Sequence, residues 1–403
     1  MSLIVMKFGG TSLATPELLL NAARKVARAR KKNDIIVVVS AMGKTTDKLF
    51  SMSKKINMKP KARETDMLLT AGERISVALL SMALGRLNLE AASYTGSQVG
   101  IITDNKHTNA RILKIKGDRI KNALAEKKIP VVCGFQGVSQ DKEITTLGRG
   151  GSDTTALALS AALKAEKCMI YTDVDGVFAE DPNEFPGAKK INRLSYNEML
   201  ELSSRGAQVL HQRASCIAAK YKIPVEIRNS LNNKSGTLIT DLEGIEKPRP
   251  KAITHNKRLY LITLVQVPRK PHYVSQILTE LTNGGVHLKF FFHGVSHAKK
   301  FDLSFITPLS ECEQIKTILN KAIKRIGVDH IEETLDICSL SIIGRGVGSN
   351  HEILSATFNT LTKIHIELIT TSELSINIFL RKKVLNKAIR ALLKKFHLRK
   401  APG

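Results

Sequence analysis

The chain has no tryptophan, and aromatic residues make up only 5% of its 403 positions. Stacking platforms for single-stranded nucleic acid are therefore scarce, and nucleic acid is not an expected partner despite a formal net charge of +26. Cysteine is also sparse. Cys133, Cys168, Cys216, Cys312 and Cys338 are scattered, odd in number and form no C-x-x-C pair. That pattern argues against a disulfide framework and a zinc site, and fits a reducing cytoplasm. Long apolar runs are missing: residues 35–39 are wholly apolar but only strand-length, so no membrane span is expected. The opening MSLIVMKFGG has no basic region ahead of a long apolar core and does not read as a signal peptide. Acidic residues are few. Residues 1–245 carry 37 Lys and Arg against 24 Asp and Glu, and residues 246–403 carry 25 against 12, so each part holds the same +13 excess. A charge spread this evenly attracts anions generally and marks no single basic tail.

What is present points to two or three globular domains, with 43% hydrophobic and 24% charged residues. The most informative stretch is TTLGRGGSDTTALALSAALKA, residues 145–165. Its glycines free backbone N–H groups to face an anion, Ser152 or Asp153 is expected at the N-cap, and the helix that follows aims its positive end there. Arg149 adds a planar fork for a carboxylate or phosphate. Taken alone, such a turn could equally be a connection that only caps a helix.

Residues 3–8, 35–39, 129–135, 168–172 and 223–228 read as apolar strands, alternating with helical stretches near 16–31, 67–87 and 195–204. Alternation of this kind implies a doubly wound α/β domain with a mainly parallel sheet and ligands at the strands' carboxyl ends. Residues 7–12, 40–45, 135–137 and 172–176 all lie at such ends. Gly43-Lys44-Thr45 suggests a phosphate loop of the GxxxxGK[ST] type, but the required glycine is Val38 and that reading fails. Lys7 could act as a point charge beside the first glycine turn, and Thr172 and Asp173 could hold a nucleoside. Glu73 and Arg149 offer opposite charges for a zwitterion. Phosphoryl transfer needs mostly positioning and charge neutralisation, which this set can supply. His107 and His211 stand alone and are expected to be structural or surface residues.

These residues fall in motifs that closely resemble the aspartate kinases of the amino-acid kinase superfamily. They are KFGGTS (7–12), VVSAMGKTTDKL (38–49), GER (72–74), CGFQG (133–137), TTLGRGGSDTTA (145–156), YTDVDGVF…DP (171–182) and GTLI (236–239). The resemblance implies phosphorylation of the side-chain carboxylate of L-aspartate by ATP, with Mg2+ held through the phosphates. The product would be 4-phospho-L-aspartate, on the way to lysine, threonine and methionine. It further implies catalytic roles for Lys7 and Asp153. Substrate contacts would come from Ser40, Thr45, Glu73, Arg149 and Ser152. Nucleotide contacts would come from Lys7, Gly9, Gly10, Thr11, Thr172, Asp173, Phe178 and Asp181. Three positions depart from the family pattern. Phe178 replaces a tyrosine, Asn183 an arginine and Gln208 a lysine, which weakens the expected nucleotide grip unless Lys189 or Lys190 compensates.

Lys247-Pro248-Arg249-Pro250 reads as a linker, and beyond it two strand–helix–strand–strand–helix units resemble the paired ACT regulatory domains of that family, with ITTSELSI (369–376) a good match. The expected architecture is a doubly wound kinase domain over 1–245, then ferredoxin-like α+β ACT domains over 252–333 and 334–403. The ACT pair implies a homodimer or larger homo-oligomer and a lysine or threonine effector. The family's Pro-Gly turn is Pro271-His272 here, and its Asn-Ile-Asp is His287-Leu288-Lys289. Both changes disfavour the usual effector site, so feedback control is expected to be weak. The apolar residues Leu385, Ile389, Leu392 and Phe396 of the basic terminal helix are expected to pack on the ACT sheet and not on a membrane. Two other readings remain at this point: a kinase of the same fold with another acceptor, and a non-catalytic amino-acid-binding regulator with a decayed kinase site.

Overall fold

The computed structural model describes residues 1–241, 248–294 and 300–400. One unit holds Met1–Pro182 and the described residues from Ala188 to 241; the other holds Asn183–Gly187 and the described residues from 248 onward.

In the first unit strands and helices alternate from the start: β1 (Ser2–Phe8), α1 (Pro16–Arg30), β2 (Asn33–Val39), α2 (Thr45–Ile56), α3 (Ala62–Leu69), α4 (Ala71–Gly85) and β3 (Ala91–Tyr94). Two short strands, β4 (Ile101–Thr103) and β5 (Ile112–Ile115), precede α5 (Asp118–Ala125) and β6 (Ile129–Cys133). A hairpin of β7 (Gln136–Ser139) and β8 (Ile144–Thr146) leads into α6 (Gly151–Ala162) and β9 (Lys167–Thr172). The unit ends with β10 (Arg193–Leu194), α7 (Tyr196–Arg205), α8 (Gln212–Tyr221), β11 (Val225–Asn229) and β12 (Thr237–Ile239). Eight strands form the main sheet in the order β10-β12-β11-β9-β1-β2-β6-β3, parallel except where β12 runs against β11.

The central strands are apolar almost throughout because both faces are covered. Ile4, Met6, Phe8, Ile35, Val37, Val39, Val131 and Met169 share one buried cluster with Leu19, Ala22 and Val26 of α1 and Leu80 and Leu84 of α4. The opposite face packs on α6, which is buried over most of its length and needs no polar stripe. The parallel arrangement brings the carboxyl ends of β1, β2, β6 and β9 to one edge. Next to them sits a small second sheet, β5-β4-β7-β8, which feeds the chain into α6.

The single helix expected over 67–87 is two, α3 and α4. They meet at Thr70, whose right-handed backbone (φ −65°, ψ −13°) keeps the path nearly continuous. Among the described residues, Ala62–Gly85 is the one stretch long and apolar enough to cross a membrane by length and composition. Half of its apolar window is buried in the protein, and it carries Glu73 into the interior, so it is a core helix.

The second unit contains β13 (Ala252–Asn256), β14 (Leu259–Pro268), α9 (Pro271–Asn283), β15 (Phe290–His293), β16 (Lys300–Pro308), α10 (Cys312–Ile326) and β17 (His330–Thr334). It continues with β18 (Ile337–Ile343), α11 (His351–Thr360), β19 (Leu368–Ser372), β20 (Ser375–Arg381) and α12 (Lys382–Lys395). One sheet has the order β15-β16-β14-β17, a ferredoxin-like arrangement made from a continuous stretch. The other has the order β13-β18-β20-β19, so its edge strand comes from before the first sheet begins. The first ACT unit was expected to start at 252, yet Ala252–Asn256 pairs with β18 of the other sheet. Leu259, Leu261, Ile306, Ile337 and Phe379 join the two sheets through a shared apolar cluster, with Phe290 and Phe292 stacked edge-on against Phe379. In α12, Leu385, Ile389 and Leu392 are buried against β18 and β20 and Phe396 is half-buried, as expected. Lys247 of the expected linker lies outside the described residues.

Candidate active site

At the shared edge of β1, β2, β6 and the small sheet lies a cavity of about 570 Å³. Its lining includes Lys7, Ser40, Glu73, Arg149, Ser152 and Asp153, brought together from four separate stretches of chain. Lys7, near the end of β1, has its Nζ 2.6 Å from Oδ1 of Asp153, and both side chains are nearly nine-tenths buried. Glycine is what lets these loops approach. A Cβ on Gly10 would sit 2.7 Å from the carbonyl oxygen of Ala41, and one on Gly150 would sit 2.2 Å from Cβ of His211. Gly148 and Gly150 both hold positive φ, at 75° and 66°, on either side of Arg149. Gly150 is therefore the N-cap of α6, while Ser152 and Asp153, expected at the cap, occupy its first turn. The carboxylate of Asp153 still lies at the positive end of the helix.

Arg149 is exposed at the mouth of the cavity, and its side chain makes no hydrogen bond or ion pair among the described residues. Glu73 is the opposite case. It is 2% exposed, its Oε1 accepts from the Ala41 N–H at 3.0 Å, and Oε2 has no hydrogen-bond partner among the described residues. Burial pushes its carboxyl up to about 7, against which the Ala41 N–H acts only partly. A carboxyl raised this way binds more protons folded than unfolded, so the protein loses stability as pH rises from about 4.5 to about 7. Glu73→Gln is therefore expected to melt higher than the wild type at pH 8, with the gap closing as pH falls below 5. Thermal denaturation across pH 4.5–8.5 checks this, and parallel curves for the two proteins would contradict it.

Other expected residues do not line this cavity. The hydroxyl of Thr45 is turned to the Met42 carbonyl at 2.7 Å, and Thr46 lines the wall in its place. Gly9, Gly10, Thr11, Thr172, Asp173, Phe178 and Asp181 lie outside it, around the ends of β1 and β9 and the chain that follows β9. Gly9 donates to the Tyr171 carbonyl at 3.1 Å, which ties those two ends together. Thr172 Oγ1 donates to Asp173 Oδ1 at 3.1 Å. Asp175 is held by Asn229 and Asn232 at 2.7 and 2.8 Å, and those hydrogen bonds keep its carboxyl below the usual range. Of the two lysines that could compensate for Gln208, Lys190 is already donating to the Ser235 carbonyl at 2.6 Å, whereas Lys189 is exposed.

Several lining residues were not singled out from the sequence. Phe135 adopts φ 69°, a left-handed conformation unusual for an aromatic residue, with its N–H on Thr155 Oγ1 and its carbonyl accepting from Leu147. Asp47, Phe50, Thr65, Thr108 and Thr146 also line the wall. His107 is structural as expected, but it does not stand alone: its Nδ1 is 2.8 Å from Asp66. His211 caps α8 and packs against Gly150.

The amino acid kinase family matches residues 2–229 and the ACT domain matches residues 340–396. The aspartokinase of Bacillus sp. (strain MGA3) is 41% identical over 402 residues, covering 99% of this chain and 98% of that protein. The aspartate kinase of Pseudomonas putida (strain KT2440) is 40% identical over 403 residues, covering 99% and 98%. The fold is shared with the crystal structure of E. coli aspartokinase III in complex with aspartate and ADP, at a TM-score of 0.83, 21% identity and coverage of 98% and 100%. The chain belongs to the amino acid kinase family and, within it, to the aspartate kinases.

Proposed function

We propose that the cavity binds L-aspartate and presents its side-chain carboxylate to the γ-phosphate of ATP, giving 4-phospho-L-aspartate. The observation that carries this reading is the convergence of Lys7, Glu73, Arg149 and Asp153 on one cavity. Arg149 clamps the α-carboxylate with its fork, and Glu73 receives the α-ammonium on its unpartnered oxygen. Ser40 and Ser152 complete the aspartate contacts, with Thr45 one residue from the wall. Lys7 neutralises charge on the phosphoryl group in flight, and Asp153 holds Lys7 in place until the phosphates arrive. Gly9, Gly10 and Thr11 supply the phosphate-facing turn. Thr172, Asp173, Phe178 and Asp181 hold the nucleoside.

Among the described residues no group of three His, Cys, Asp or Glu side chains could hold a metal ion. Mg2+ would take most of its ligands from the ATP phosphates and water, with Asp153, paired with Lys7 in the cavity, as a carboxylate that could join them. Bound there it would supply charge neutralisation of the phosphates. The domain division we propose is 1–245 for catalysis, with 252–333 and 334–403 as ACT domains that exchange one strand, 252–256 completing the sheet of the second, and that form a homodimer or larger assembly in the cytoplasm. In the first ACT domain both His287 N–H and Nδ1 face Glu311, at 2.7 and 3.0 Å, and Lys289 is exposed. That occupation of the site supports weak feedback by lysine or threonine. A decayed regulator is disfavoured by the intact Lys7–Asp153 pair.

The test is ADP release with a panel of acceptors. Release is expected with L-aspartate and at least ~10²-fold lower with L-glutamate, whose extra methylene displaces one carboxylate from either the clamp or the phosphate. Comparable release with both would overturn the substrate assignment.

A further inference from the structure

Asp66, on the same helical path as Glu73 and seven residues before it, is 0% exposed and does not line the cavity. Its carboxylate nevertheless ties together two parts of the cavity's surroundings, the turn at His107 and Thr108 and the strand end at Thr146. Thr108 N–H donates to both oxygens at 3.1 and 3.0 Å, Thr146 Oγ1 donates to Oδ1 at 2.5 Å, and His107 Nδ1 lies 2.8 Å from Oδ2. Thr108 is β-branched yet sits at φ 64°, a conformation that needs outside support. The carbonyl oxygen of Thr108 would be 3.0 Å from a Cβ on Gly148, so this turn is the floor on which the Gly148–Arg149 turn rests. From the other side Arg213 of α8 donates to the Leu147 carbonyl and, at 2.7 Å, to the Ala110 carbonyl. Ala110 N–H in turn donates to the Thr146 carbonyl at 2.9 Å. The 107–110 turn and the 146–149 segment are thereby fastened to each other, to α3 and to α8.

We infer that Asp66 and Arg213 are positioning residues for the acceptor: they fix the turn that carries Arg149, and so set where the α-carboxylate of aspartate is held. This rests on Arg149 being the carboxylate clamp. An ionised carboxylate accepts every hydrogen bond offered here, and no neutral side chain of that size does the same. The geometry separates substrate from nucleotide, because the side-chain hydrogen bonds of both residues, among the described residues, go to the 107–110 and 146–147 segments.

The experiment measures kcat and separate KM values for aspartate and ATP in Asp66→Asn, Arg213→Lys and Thr146→Val, with Thr146→Ser as the variant that keeps the hydroxyl. The aspartate KM is expected to rise about tenfold or more in the first two and several-fold in Thr146→Val. The ATP KM should stay within about twofold, and Thr146→Ser, which keeps the hydroxyl, should raise the aspartate KM less than Thr146→Val does. A fall in kcat alone, with both KM values unchanged, would mean the residues only keep the fold intact and would overturn the inference. So would equal rises in both KM values. If Asp66→Asn does not fold, Arg213→Lys and Thr146→Val carry the same decision. Arg149→Ala measured in parallel separates the two readings. If it leaves the aspartate KM unchanged, the clamp assignment fails; if it raises that KM while Asp66→Asn does not, the positioning role fails.

Discussion

Arg149→Ala is expected to lower kcat/KM for aspartate by about 10²-fold or more, because a charge-assisted bidentate contact to a carboxylate is lost from a partly dry site. The reason lies in its setting. Arg149 stands between two glycines in left-handed conformations, and its side chain makes no hydrogen bond or ion pair among the described residues. A guanidinium held on a stiff turn without a partner is set for a ligand. Arg149→Lys keeps the charge but not the fork, so an intermediate loss is expected. Nucleotide binding, measured by calorimetry, should be unchanged in both variants. A kcat/KM within twofold of wild type for Arg149→Ala would remove the clamp from the account.

Lys7→Met is expected to do its damage elsewhere, on kcat, by ~10²–10³-fold, with the aspartate KM little changed. Removing one preorganised charge from a transferring group typically has that effect. It also strips a nearly buried partner from Asp153, 2.6 Å away. An orphaned, mostly buried carboxylate destabilises by roughly 3 kcal/mol, so the variant should also melt at lower temperature. Adding Asp153→Asn to Lys7→Met should recover much of the melting temperature and none of the activity. A stability loss without a kcat loss would make the ion pair structural only.

Most of the kinase half was legible because its signals are local. Apolar runs such as residues 35–39 specify strands buried on both faces, and glycines flanking Arg149 specify a turn that other residues cannot make. The helix cap was misplaced at Ser152 or Asp153 because hydroxyl and carboxylate side chains favour caps, whereas Gly150 takes the position here through its left-handed backbone. The strands β13 and β17 were not expected. Each is a short edge strand with polar residues, His255 and Asn256 in one, Glu332 and Glu333 in the other. The partner of β13 lies more than eighty residues away in sequence, which no local pattern could reveal. Asp66 and Arg213 escaped notice for a similar reason. A lone aspartate inside a helix carries no motif, and its meaning arises only when the turns at Thr108 and Thr146 fold onto it.

The central claim is transfer of a phosphoryl group from ATP to the side-chain carboxylate of aspartate in the cavity that holds Lys7, Glu73, Arg149 and Asp153. Hydroxylamine trapping of the acyl phosphate tests it directly. With purified protein, MgATP and L-aspartate, aspartyl hydroxamate should accumulate in proportion to ADP, and Lys7→Met should abolish both. ADP released without hydroxamate, or hydroxamate unaffected by loss of Lys7, would contradict the account.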